Sequence, residues 1–257
     1  GTMLERALER GLLTSAEYTA IDSMQENVEE ALRRIPRWAR GNGYDVSDRD
    51  AGSLRLKSDE RNIRAIFEPV DVFDFMERLG TREKWDLVIA NAFLDLVDVP
   101  AFLPTLPALL KPGGLFYFTI TFDGASIFQP EIDPDLDAAI EALYHETMDR
   151  RIIGGKPSGD SKTGRHLFRH IRDAGGELID AGASDWVVFA GSDGYAADEA
   201  FFLHFIIHTV GLALKGNPEL NKARGDRWVE TRHEQIERGE LVFIAHQMDF
   251  LGRVGRG

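Results

Sequence analysis

Trp85-Asp-Leu-Val-Ile-Ala-Asn91-Ala-Phe93-Leu94 and, a short segment later, Leu109-Leu-Lys-Pro-Gly-Gly-Leu-Phe-Tyr-Phe118 decide the fold. The first carries the short apolar run 87–90, which predicts a buried strand over 85–90. Residues 111–114 predict a turn, and the aromatic, β-branched stretch 115–122 predicts a second strand. Between them, residues 99–110 have helical spacing despite Pro104 and Pro107. Strand, helix, turn and strand at this spacing predict a βαβ unit and a parallel sheet.

The pattern extends to both sides. Residues 4–12 predict a helix that stops near Gly11, and Tyr18-Thr-Ala-Ile-Asp22 a buried strand ending in an acid. Asp22 or Ser23 can cap a helix over 25–40, which Gly41-Asn-Gly43 ends. Residues 53–57 and 63–67, separated by the polar break 58–61, predict a hairpin extension feeding a strand. After residue 122 the spacing predicts helices over 134–151, 166–174, 198–215 and 226–238, and a polar loop over 154–164. One or two strands fall within 177–189, and a final strand at 240–250. No repeat or linker marks a second domain, so 1–257 reads as one domain.

Composition narrows the function. A formal net charge of -13 argues against a broad phosphate-binding surface, so no nucleic-acid partner is expected. With no cysteine, disulfides, thiolate metal sites and cysteine nucleophiles are excluded together. No apolar run approaches the ~20 residues of a membrane span, and nothing at the start resembles a signal peptide. The expectation is a soluble cytoplasmic protein.

Three segments, in order, resemble class I S-adenosylmethionine-dependent methyltransferases, and together they cover residues 1–122. Tyr18–Asp22 is similar to that family's second strand, whose terminal acid accepts hydrogen bonds from the ribose hydroxyls; Ser23 follows it. Read alone, Asp22 serves equally as a helix cap. Phe67-Glu-Pro-Val-Asp71-Val72-Phe73 resembles the next element, where an acid takes the adenine amino group and the following N–H meets the ring. Read alone, Asp71 is an acidic turn residue. The stretch with Asn91, Ala92 and Phe93, then Leu-Leu-Lys-Pro-Gly-Gly, looks like the fourth and fifth strands. The resemblance implies a Rossmann-like sheet, mostly parallel with an antiparallel last strand, and S-adenosylmethionine as cofactor. The family's first strand and glycine-rich loop are not matched. Gly1 fits that loop's last glycine, and the expectation is a chain cut within the motif; a Gly-Thr scar before Met3 is the alternative.

Residues 1–122 would then form the cofactor-binding half, with 123–164 and 190–239 as lid insertions over the pocket. These carry the candidates for a catalytic base, Tyr144, His145 and His204. His204 also reads as one of two hydrogen-bonded helix histidines with His208. No metal site is expected, because no carboxylate completes that pair. His246 reads as structural, about six residues or ~20 Å down the final strand from the cofactor side. The expected reaction is methyl transfer to a small, partly apolar molecule. The alternatives are a non-catalytic methyltransferase-like module and a nicotinamide-dependent reductase, the latter disfavoured because no tyrosine has Lys four residues later.

Overall fold

The computed structural model describes residues 2–50, 52–80, 85–153 and 155–255. The chain divides into two compact units, residues 1–83 and 84–257.

The first unit is an α/β layer. Helix α1 (Thr2–Glu9) leads to β1 (Ser15–Asp22), α2 (Gln25–Gly41), β2 (Asp45–Asp50), β3 (Ser53–Lys57), β4 (Asn62–Pro69) and α3 (Val72–Leu79). The strand order is β1-β4-β3-β2, with β1 and β4 parallel and the other pairs antiparallel. Val28, Ala31, Ile35 and Ala39 recur at helical spacing and bury one face of α2. They join Leu4 and Leu8 of α1 and Leu56, Ile63 and Ala65 of the sheet in one core.

The second unit is built on β5 (Trp85–Asn91) and the long β6 (Leu110–Gln129), which run parallel. The expected single helix between them is broken into α4 (Val99–Phe102), a 3-10 turn (Leu103–Thr105) and α5 (Leu106–Leu109). Pro104 and Pro107 each remove an N–H, so the segment turns helically without forming a continuous ladder. Then follow α6 (Pro134–Asp149), the small hairpin β7 (Ile152–Ile153) and β8 (Lys156–Pro157), α7 (Thr163–Asp173), β9 (Glu177–Ala183) and β10 (Trp186–Val188). Helices α8 (Glu199–Ala213) and α9 (Lys222–Glu237) precede β11 (Val242–Arg253). The sheet order is β10-β11-β6-β5, with β9 also on β11, and β11 is antiparallel to β6 as expected for a last strand. Leu203, Ile207 and Val210 of α8, Trp228 and Ile236 of α9, and Phe128 and Phe243 of the sheet form its core. No helix among the described residues is long and apolar enough to cross a membrane.

Two features depart from the sequence reading. The turn at 111–114 lies inside β6, and β6 runs on to Gln129, into the segment expected to begin a lid. Its continuation is paired along the amino half of β11, from Val242 opposite Gln129 to Gln247 opposite Phe122. Among the described residues β1 pairs only with β4, and β5 only with β6. Each therefore ends its sheet.

Candidate functional site

In the first unit, Asp22 and Asp71 stand at the carboxyl ends of adjacent parallel strands. Asp22 is opposite Pro69, and the Val70 N–H donates to the Asp22 carbonyl at 2.9 Å. The Asp22 carboxylate takes the Met24 N–H on Oδ1 at 2.8 Å and the Asn27 amide on Oδ2 at 3.0 Å. The N-cap of α2 is Met24, with no side-chain cap bond, so Asp22 braces the turn before the helix and is not its cap. A carboxylate has about four acceptor sites, so two remain for a diol. Ser23 beside it is exposed. A cavity of about 270 Å³ opens there, lined by Ala20, Asp22, Asn27, Arg34 and Phe67 among others.

Asp71 caps α3: its Oδ1 accepts the Phe73 N–H at 2.8 Å. Val72 is the first residue of that helix, where N–H groups have no partner within the helix. An exposed acid beside such an N–H offers an acceptor and a donor side by side, the pair that an adenine edge requires. The turn bonds of Asp22 and the capping bond of Asp71 are each compatible with a ligand role. Gly1 lies outside the described residues.

In the second unit, Asn91 ends β5 level with Thr119 of β6, whose hydroxyl donates to Asn91 Oδ1 at 2.6 Å. Ala92 follows with φ 47°, left-handed for a non-glycine residue, and donates its N–H to the Thr119 carbonyl at 2.9 Å. That turn leaves Asn91 and Ala92 exposed, while the Phe93 ring meets Phe102 edge-on at 5.3 Å. Asp95, two residues on, was not singled out from sequence. Burial raises its carboxyl above the usual range, and its Oδ1 has no hydrogen-bond partner.

The base candidates fall in different places. His145 Nε2 is 3.2 Å from Ser126 Oγ, its ring lies edge-on to Phe122 at 5.3 Å, and burial lowers its pKa. Tyr144 packs on the core, and burial raises its hydroxyl pKa. His204 joins two helices: its Nδ1 is 2.7 Å from Nδ1 of His233 on α9, and its Nε2 is 3.0 Å from Glu237. Its partner is therefore across the helix pair, not His208 one turn along α8. That arrangement ties α8 to α9.

The reading of His246 is corrected in its level. The parallel strands end at Asn91 and Thr119, whereas β11 extends past them, with Phe250 opposite Phe118 and Gln247 opposite Phe122. His246 therefore lies beyond the carboxyl end of the sheet. Counting from the amino end of β11 placed it on the wrong side, because that end overhangs. The overhang is kinked at Ile120, φ 56°, a conformation strained for a β-branched residue. Asp249 holds the kink by accepting the Ile120 N–H at 2.9 Å and the Ser184 hydroxyl at 2.7 Å on Oδ1, with the Tyr117 hydroxyl 3.3 Å from Oδ2.

No protein-family profile matches this chain, and no curated sequence does. Solved structures are similar at low identity. A provisionally assigned methyltransferase from Bacillus halodurans is 10% identical, over 93% of this chain and 84% of that one, with a TM-score of 0.47. A SAM-dependent methyltransferase from Methanosarcina mazei is 12% identical, over 94% and 83%, with a TM-score of 0.45. A mycolic acid cyclopropane synthase complexed with SAH is 11% identical, over 98% and 74%, with a TM-score of 0.44. Likenesses of this order leave the function to be read from the residues themselves.

Proposed function

We propose that this chain is an S-adenosylmethionine-dependent methyltransferase acting on a small, partly apolar molecule. The observation that supports it most is the pair of acids at the carboxyl ends of β1 and β4, where ligands of open α/β sheets lie. Asp22, with Ser23, takes the ribose hydroxyls; Asp71 and the Val72 N–H take the adenine. Asn91, Ala92 and Phe93, the other cofactor candidates, stand on a turn of the second unit that keeps two of them exposed. The bound cofactor supplies a methyl group already activated by its sulfonium, so the protein's task is alignment. Tyr144, His145 and His204 stay candidates for a base on the segments 123–164 and 190–239, which we take to set acceptor choice. Of these, His145 is the strongest, since its ring lies against the overhanging part of β6.

Calorimetric titration with S-adenosylhomocysteine tests the reading. Binding by the parent chain that weakens about tenfold to a hundredfold in Asp22→Ala is expected, because each charge-assisted hydrogen bond contributes ~1.5–3 kcal/mol. Equal binding by both proteins contradicts the ribose assignment. A chain that binds NADH and not S-adenosylhomocysteine would be the reductase instead.

A further inference from the structure

A second cavity of the first unit, of about 400 Å³, opens at the amino ends of β1 and β4, the opposite end of these strands from Asp22 and Asp71. Ser15 and Asp22 bound β1, so the two places are roughly 20 Å apart along it. Thr14, Ser15, Arg55, Lys57, Arg61 and Asn62 line the cavity, with Asp59 and Glu60 on the turn between β3 and β4. The sheet register gathers them. Asn62 is opposite Ser15 on one side and Lys57 on the other. Arg55, two residues before Lys57, shares its face, while Leu54 and Leu56 alternate to the other face and are buried in the core.

Two of the three cations are held in place by neutral groups. Arg55 donates its Nε–H to Asn62 Oδ1 at 2.9 Å. Arg61 donates from Nη1 to the Leu8 carbonyl, near the end of α1, and to the Tyr44 hydroxyl, both at 2.6 Å. Tyr44 is buried and stacks on Trp38, so Arg61 is anchored to fixed structure. A guanidinium carries five N–H donors in a planar fork, and most of those on both arginines remain unspent. The ion pairs of this unit, among the described residues, are Arg33–Glu30, Arg34–Glu5, Arg64–Glu17 and Arg78–Glu68. Arg55, Lys57 and Arg61 belong to none of them. Three cations thus share one cavity without a carboxylate partner, in a chain whose formal net charge is -13.

We propose that this cavity binds a small molecule through a diphosphate group. The proposal goes beyond the methyltransferase reading and does not depend on it. The forks of Arg55 and Arg61 match phosphate oxygens, Lys57 adds a point charge, and the exposed hydroxyls of Thr14 and Ser15 can donate to the oxygens left over. Arg55 and Lys57 stand about 7 Å apart along β3, and Arg61 lies beyond the turn, a spread that suits two linked phosphates better than one. Asp59 and Glu60 reduce the local positive potential. A single negative charge therefore gains little there, while a multiply charged group gains in proportion to its charge.

Calorimetric titration of the intact chain with pyrophosphate, orthophosphate and acetate tests it, at low ionic strength because exposed charges are screened by salt. Pyrophosphate is expected to bind, orthophosphate about tenfold more weakly, and acetate not measurably. Arg55→Gln should weaken pyrophosphate about tenfold and Lys57→Gln about threefold, since the first removes a fork and the second an exposed point charge. Arg61 is left intact because it also holds the end of α1. Thermal melting of both variants should match the parent, since neither side chain bonds outside the cavity. Asp22→Ala should bind pyrophosphate as the parent does, which separates this cavity from the proposed nucleoside site. No pyrophosphate binding by the folded parent overturns the proposal, and so does unchanged affinity in both variants. Equal affinity for orthophosphate overturns the diphosphate assignment.

Discussion

The two acids Asp22 and Asp71 and the acid–histidine cluster around Asp123 reach their positions by opposite routes. Asp22 and Asp71 end parallel strands that their own βα units place side by side, and both make contacts within a few residues of themselves. Asp123, Asp185 and His246 come from segments more than sixty residues apart and meet only where β11 overhangs the sheet. Chemistry at a strand end is written in local sequence, and chemistry at a bulge between distant antiparallel strands is not. The first route also leaves its acids open to a ligand, while the second buries Asp123 and consumes its hydrogen bonds internally.

The largest expected effect is at the overhang. Asp249→Ala should lower stability by about 3 kcal/mol in urea unfolding, because the strained Ile120 N–H and the Ser184 hydroxyl lose their acceptor together. A change under about 0.5 kcal/mol would mean that the kink holds itself. Asp22→Ala comes next, and separates the two regions in kind. Its main loss should be affinity for S-adenosylhomocysteine, about tenfold to a hundredfold, with only ~1 kcal/mol in stability from the lost bond to the Met24 N–H.

The sequence carried much of this and missed specific parts for physical reasons. Helix α2 was readable to within a residue, because its apolar stripe is regular and Gly41-Asn-Gly43 stops it. Strand β2 was missed since Asp45-Val-Ser-Asp-Arg-Asp50 has a single apolar residue to signal a period. The end of β6 was missed because Asp123-Gly124-Ala125 reads as a loop, and only the distant β11 makes it a strand. The same cause misplaced His246. Asp22 and Asp71 were legible as acids at strand ends; the plainer reading holds for Asp71, which caps α3, and not for Asp22, since Met24 is the N-cap of α2. His204 was legible as a hydrogen-bonded helix histidine, but its partner His233 lies on another helix, which spacing along α8 cannot reveal.

Asp71→Ala sharpens the comparison further. Loss of the α3 cap should cost about 1 kcal/mol of stability without ligand, and S-adenosylhomocysteine should bind more weakly as well. Stability loss with unchanged affinity would leave only the cap. The smallest effect concerns pH. Burial lowers the pKa of His145 and of His233, so the unfolded chain takes up their protons first as pH falls through the ordinary 6.5. Stability should therefore drop below that pH and be unaffected by these groups above it. Urea midpoints at about pH 7.5 and about pH 5.5 should differ less in a His145→Gln, His233→Gln double variant than in the parent.

The central proposal is that the strand ends of β1 and β4 hold the cofactor's nucleoside. Amide chemical shifts recorded while S-adenosylhomocysteine is added to the intact chain test it most directly. The account predicts that the largest changes in the first unit fall on Asp22–Met24 and Asp71–Phe73. Shifts confined to other segments, or none at saturating ligand, would contradict it.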